Sequence, residues 1–549
     1  MASQIGSLDI VIVVLFVGYI CWRGFTSSRN QKSPADFFLA GRSLTWPLIG
    51  ISLYASNMSS SSLIGLSSSG YEHGVYVYNY EWMGIILLVI FAIYFVPLYL
   101  RAKLYTMPEL LEKRFDFRSR YYFSTLSILV NIGIDTAGAL YAGGILIQIL
   151  FPVVDMGTSI LIIAISAGMY TIAGGLRAVV FTDVLQGILL TIGSLILTII
   201  LFNHIGSWEA IKEAAHPDSF NLIRSRDDKV LPWPALILGL PLLSFYFWCT
   251  NQHIVQRVLG ARSIDDGRKG AIFAGFLKVP VLFIMIFPGI MALSIYPDLD
   301  NPNMVMPQLM LDFLPAGILG LVLAGFLAAL MSSIDSALNS ASTLLTMDFY
   351  KKIRPKSDQK ELVRIGRIFT LLFVLIASLW APYIDRFPTL WEYLQAALSY
   401  LIPPVVVCFL FGLYWRRATP LAAFLSLIIG GLSALIIMFL HAMAMIPYIH
   451  FLYVAAILFG ISAATMIIVS LIDPHPGLSE KFADRFRMRL EKEHNKTQHS
   501  ETEDESEVPE SDYSHRQHDS GDSSPFYKDY RFQAAVLVVL TMLIVLWYW

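Results

Sequence analysis

The chain has 549 residues, of which 56% are hydrophobic and 15% charged, with a formal net charge of −2. A soluble domain of ordinary composition carries about 25% charged residues, so a string of soluble domains is excluded and lipid must serve as part of the solvent. The near-neutral balance gives nucleic acid no basic face. Three scattered cysteines, Cys21, Cys249 and Cys408, supply neither a disulfide framework nor a metal site.

A membrane helix needs about 20 mostly apolar residues. Fourteen stretches qualify: 8–26, 46–70, 78–100, 121–150, 157–175, 180–202, 233–253, 270–296, 316–347, 363–384, 388–414, 418–440, 450–472 and 531–549. The first lacks a basic leader and a cleavage site, so it reads as a retained span. With the N-terminus outside, the short inner loops and the span ends beside them hold 24 Lys and Arg and the outer loops 5. That asymmetry places both termini outside. Residues 473–530 are polar and rich in Ser, Glu, Asp and His. They read as a disordered cytoplasmic tether, since they lack the apolar residues needed to fold.

Two spans break the rules for helices. Span 46–70 carries Ser56-Asn57-Met58 and then Ser59 to Ser62. Serine offers the backbone alternative hydrogen bonds and weakens a helix. Span 233–253 has Gly239, Pro241 and Ser244 at its middle, and Pro241 removes a backbone donor there. The two lie five spans apart, which implies two inverted five-span repeats, 46–202 and 233–417. Transporters with discontinuous helices bind solute and ions at such unwound segments. Close-packed Gly/Ser seams are the alternative reading. Outside the repeats fall residues 1–45 (a leading helix and inner loop), an outer loop at 203–232, two peripheral helices at 418–472 and a final helix at 531–549.

Ionisable residues within spans are costly, by roughly 2.5–3.5 kcal/mol each. They are Glu81, Asp135, Asp183, Lys278, Asp335 and Glu392. A Glu81–Lys278 ion pair is one reading; a hydrated path whose negative excess suits a cation is the other. Span 316–347 adds hydroxyls at Ser332, Ser336, Ser340 and Thr343, on one helical face. Such a face points inward, either as a polar seam or as hard oxygen ligands for Na⁺. His253, beside Asn251 and Gln252, reads as a cap or packing residue. No Ser–His–Asp set, HExxH or P-loop is present, which speaks against an enzyme.

GGLRAVVFTDVLQ (174–186) and the Ala328–Tyr350 stretch resemble the signatures of the sodium:solute symporter family. YEWM (80–83), FWCTNQHIVQRVLGARS (247–263), AGFLKVP (274–280) and YLQAALSYLIPP (393–404) are similar to its sodium/glucose (galactose) cotransporter branch. The resemblance implies an all-α membrane protein with a LeuT-type five-plus-five inverted-repeat core and about fourteen transmembrane helices. It implies Na⁺-coupled symport of a neutral hexose or polyol, with Na⁺ as coupling ion. Motif by motif, Na⁺ falls to Ala55, Met58, Ala329, Ser332 and Ser333. A second sodium or a proton falls to Asp183, Asp335 and Ser336. Sugar contacts fall to Asn57, Glu81, Lys278, Gln395 and Trp248, with departures from the branch at Ser62, Ser244 and Phe247. The partners implied are the sugar, Na⁺ and the bilayer, with no nucleic acid and no obligate protein partner. Short loops suggest a bacterial inner membrane. Proton coupling, another solute (myo-inositol, a sialic acid-type sugar, a carboxylate), and a sensor or uniporter are the rival readings.

Overall fold

Helices form on every stretch where the apolar runs predict them. The computed structural model describes residues 5–28, 38–150, 153–228, 230–387, 390–447, 449–473 and 529–549. Among them only two isolated β-bridges interrupt an all-helical chain. The polar tether expected at 473–530 lies almost wholly outside the described residues. Nine described helices are long and apolar enough to span a membrane, or eleven with two bent pairs each taken as one span. This count falls below fourteen because a broken helix, a joined pair and two short apolar segments escape a length test.

The helices named below are α1 (Ser7–Ser28), α2 (Trp46–Asn57), α3 (Ser60–His73), α4 (Tyr78–Ile90), α5 (Phe117–Val130), α6 (Met156–Ile205) and α7 (Leu240–Phe245). They continue with α8 (Gln252–Leu259), α9 (Ile264–Lys278), α10 (Ile318–Leu344), α11 (Gln359–Trp380) and α12 (Leu390–Leu401). The last are α13 (Pro403–Tyr414), α14 (Pro420–Ala442), α15 (Phe451–Ile472) and α16 (Tyr530–Trp547).

The predicted break between spans 157–175 and 180–202 is absent from the secondary structure, because α6 runs through it without a loop. It still turns back. A Cβ on Gly143 would meet both Leu330 and Ile163, while Asp183 bonds Ser332. Ile163 and Asp183 would lie about 30 Å apart on a straight helix, yet both meet α10 within one turn. The run therefore reverses as two spans do.

Helix α10 is the axis of the fold: 78% of the apolar window of its span is buried inside the protein, against 28% for α14 and α15 and 22% for α16. Its hydroxyl stripe faces inward and is knit to three neighbours. Ser332 donates to Asp183 of α6, Arg257 of α8 donates to Ser336 (2.7 Å), and Asn131 donates to Ser340 (2.9 Å). At the inner end Asp348 collects Thr106 (2.9 Å), Arg120 and Ser124, clasping α10 to α5. The C-terminal end of α3 closes at Gly74, with φ 85°, where a Cβ would lie 2.1 Å from the Ser219 carbonyl. Only glycine fits there.

Candidate functional site

The first break forms where the serines are. Helix α2 ends at Asn57, Met58 leaves helical geometry (φ −81°, ψ 61°), and Ser59 is extended. Ser59 Oγ caps α3 by accepting from the Ser62 N–H at 3.1 Å. Ser62 Oγ donates back across the gap to the Asn57 carbonyl at 2.6 Å. Serine hydroxyls thus take up backbone groups that the missing turn leaves free.

The helix does stop at Gly239, as the sequence suggests, but resumes at once with α7, and a second break lies further on. Pro241 sits at the start of α7, where its missing N–H costs nothing. Gly239 is a contact point: a Cβ there would lie 2.3 Å from the Leu452 carbonyl. The chain then widens into a π-turn at Tyr246–Thr250 and breaks at Asn251 (φ −65°, ψ 124°). Asn251 N–H donates to the Tyr246 carbonyl (2.8 Å), and the Asn251 side chain caps α8 by accepting from His253 N–H (3.2 Å). Tyr99 takes the freed Cys249 carbonyl at 2.7 Å. π-turns are frequent at functional sites, but no composition signal marks them.

Between the two breaks lies a cavity of about 120 Å³. All eight residues proposed for the sugar line it: Asn57, Ser62, Glu81, Ser244, Phe247, Trp248, Lys278 and Gln395. Lys278 is fully buried and pairs with Glu81 at 2.5 Å, while also donating to the Asn57 side chain. The ion-pair reading is met, and the pair also lines the cavity. The ammonium lies 4.8 Å from the centre of the Trp248 ring. Gly84 makes that approach possible, since a Cβ there would lie 2.6 Å from Trp248 Nε1. Phe247 meets Trp248 edge-on at 5.1 Å. The hydroxyl proton of Ser62 is committed to the Asn57 carbonyl, so Ser62 knits the break as much as it faces the cavity.

Of the residues proposed for ions, Ser332 meets Asp183 directly. Ser332 and Ser52 donate to this carboxylate, with Gln186 at 3.3 Å and Ser56 at 3.5 Å. Ser333 and Ser336 line the cavity, with Ser333 donating to the Ala329 carbonyl at 2.8 Å. Ala55, Met58 and Ala329 are buried, and Ala55 lies against α6 at Gly187. Asp335 is wholly buried. Sequence reading missed Arg257, counted there as an inner-loop charge. Its buried guanidinium reaches Asp183 (2.9 Å), Ser336 (2.7 Å), Ser52 (2.8 Å) and the His253 carbonyl. A buried charge needs such full pairing. His253 is more than a cap or packing residue: with Asp135, it lines the cavity. Trp391 of α12, also missed, lines it too.

Two discontinuous helices facing one polar cavity, packed around a serine-bearing axial helix, define an inverted-repeat membrane transporter. A solved Na⁺-coupled sialic acid symporter shares this fold, with a TM-score of 0.74 at 23% identity over 85% of this chain and 98% of that one. The sequence profile of the sodium:solute symporter family matches residues 37–430. Sodium/glucose cotransporter 1 of Oryctolagus cuniculus is 36% identical over 84% of this chain and 77% of its own length. Sodium/myo-inositol cotransporter 2 of the same species is 34% identical over 85% and 77%. The chain belongs to the sodium:solute symporter family, with the LeuT-type five-plus-five core.

Proposed function

We propose that this protein is a Na⁺-coupled symporter of a neutral sugar, a hexose such as glucose or galactose or a polyol, working by alternating access. The observation that carries this reading is the convergence of Asn57, Ser62, Glu81, Ser244, Phe247, Trp248, Lys278 and Gln395 on one cavity between two helix breaks. Sugar hydroxyls both donate and accept, so a carboxylate, an ammonium and an amide complement them, while Phe247 and Trp248 supply apolar faces for the ring. A site built of such groups penalises ligands that lack the hydroxyls. The named cotransporter relatives act on glucose and myo-inositol, which fits the same chemistry.

Na⁺ binds at Ala55, Met58, Ala329, Ser332 and Ser333 and joins the broken α2 to α10. Ordering that break completes the sugar site, because Asn57 and Ser62 belong to both. Coupling of this kind is a binding free energy shared between sites and is reciprocal. A tenfold Na⁺ gradient is worth about 1.4 kcal/mol and 100 mV about 2.3 kcal/mol per charge, so one Na⁺ supports roughly 500-fold accumulation. Asp183, Asp335 and Ser336 form the second position, for Na⁺ or a proton. An ion there competes with the Arg257 guanidinium, which already holds Asp183 and Ser336. The repeats span 46–202 and 233–417, both termini lie outside, and the membrane is a bacterial inner membrane.

Uptake of labelled sugars into proteoliposomes tests the reading, with an inward Na⁺ gradient against a choline control. The panel holds glucose, galactose, mannose, myo-inositol and N-acetylated sugars. Na⁺-dependent accumulation of a neutral member is the expected result. Failure of every sugar, with Na⁺ still stabilising the purified protein, would overturn the solute class and leave the ion site standing.

A further inference from the structure

The cavity has two polar walls that differ in kind. On one, Glu81, Lys278 and Asn57 satisfy one another. On the other, Asp135 Oδ2 and His253 Nδ1 face each other at 3.5 Å without a hydrogen bond, and the buried Trp391 Nε1 has no hydrogen-bond partner. His253 and Trp391 are each only 7% exposed as side chains or residues, so water does not freely serve them. A buried polar atom without a partner is rare in a folded protein and calls for an explanation. The bare Trp391 N–H and the loose Asp135–His253 contact on the lining of one cavity have a common explanation, a ligand that donates and accepts.

Local structure aims these groups. Asp135 lies in the π-turn Asn131–Thr136, which Tyr393 of α12 pins by donating to the Gly133 carbonyl. That contact sets Asp135 on the side of the cavity that carries Gln395. His253 follows the Asn251 break, and its ring meets Phe247 edge-on at 5.9 Å. Its Nδ1 lies 3.5 Å from Asp135 Oδ2, near enough to share a ligand hydroxyl. Charge adds a second consequence. Glu81 and Lys278 cancel, so the ionised form of Asp135 leaves the lining with one net negative charge when His253 is neutral.

We propose that Asp135 and His253 form a second hydroxyl-reading wall of the cavity, which fixes one end of the sugar and excludes ligands that carry a carboxylate. The inference rests on the sugar-symport reading above and narrows it to neutral polyhydroxy ligands. The carboxylate accepts from a sugar hydroxyl, His253 donates to or accepts from the next, and Trp391 can only donate. A carboxylate on the ligand would meet the buried Asp135 charge with no compensating cation on that wall.

The test starts with the wild type in proteoliposomes, taking whichever neutral sugar it accumulates with Na⁺. Competition is then measured with the uronate of that sugar and with its neutral uronamide. The expected result is competition by the uronamide and at least tenfold weaker competition by the uronate. Asp135→Asn should raise KM for the neutral sugar about tenfold, the loss of one charge-assisted hydrogen bond, and should bring the uronate to parity with the uronamide. The Na⁺ concentration for half-maximal uptake should stay unchanged, which a general loss of structure would not allow. His253→Gln, which keeps a donor and an acceptor, should alter KM without admitting the uronate. Equal competition by both compounds on the wild type overturns the inference and leaves sugar symport standing. Accumulation of no sugar by the wild type overturns both.

Discussion

The two helix breaks that face the cavity come apart by different means. At Met58–Ser59 the sequence itself undoes the helix, because serine hydroxyls offer the backbone other partners and then stitch the gap with the Ser59 and Ser62 bonds. At Asn251 the sequence around the break is apolar and aromatic, and the unwinding is a π-turn over Tyr246–Thr250 held by Tyr99 and by the Asn251 cap. The first break carries backbone oxygens and small hydroxyls, which suit an ion. The second carries Phe247 and Trp248, which suit a ring. Lys278 ties the two, reaching Asn57 on one side and Trp248 on the other.

Cutting that tie should have the largest effect. Lys278→Met leaves Glu81 buried and unpaired, a cost of about 3–5 kcal/mol, so uptake should fall more than about 100-fold and the thermal midpoint should drop. Adding Glu81→Gln should restore most of the thermal midpoint without restoring uptake, as read by unfolding in detergent alongside transport. Recovery of uptake in the double variant would show that the pair is structural only.

Removing the cap at each break separates their roles. Ser59→Ala and Asn251→Ala each lose about 1 kcal/mol of helix capping. Ser59→Ala should also raise the Na⁺ needed for half-maximal uptake roughly fivefold, while Asn251→Ala should shift sugar KM and leave the Na⁺ requirement alone. The same shift in both variants would erase the division between the breaks. A smaller effect is expected from Phe247→Tyr, which adds one neutral hydrogen-bonding group worth about 0.5–1.5 kcal/mol net. Sugar KM should fall by a few-fold, with Na⁺ dependence unmoved, in the same uptake assay.

The smallest effect lies outside the membrane. Burial alone would raise the Glu112 carboxyl, but Lys352 (2.7 Å) and Arg120 outweigh it and hold it below the ordinary carboxylate range. A carboxylate with a depressed pKa adds stability above its unfolded pKa and loses it as pH falls through the folded one. Thermal midpoints of the wild type should therefore fall more steeply than those of Glu112→Gln as pH drops below about 4.3, the unperturbed value for Glu.

Much of this was legible in the sequence, for reasons that can be named. Apolar run length marked each span, and the serine cluster marked the first break because serine competes directly for backbone hydrogen bonds. The residues proposed for the sugar were legible through motifs, and all eight reach one cavity. Gly239 and Pro241 marked an interruption that is present between Leu238 and Leu240, whereas the π-turn and the break at Asn251 depend on packing around them and left no composition signal. Arg257 was read as a loop charge because its four partners, on Asp183, Ser336, Ser52 and His253, come from distant parts of the chain. The reversal of α6 was legible as two apolar runs but not as a continuous helical segment.

The central claim is that the first break and α10 together hold the coupling ion. Ser332 is the residue to test, since it sits on α10 and donates to Asp183 beside the α2 serines. Initial uptake rates for wild type and Ser332→Ala are to be measured across Na⁺ concentrations at fixed sugar, and across sugar at saturating Na⁺. Half-saturating Na⁺ should rise at least about tenfold, the upper end of a lost buried hydrogen bond, with sugar KM at saturating Na⁺ within about twofold of wild type. A change in sugar KM alone, with the Na⁺ requirement intact, would contradict it.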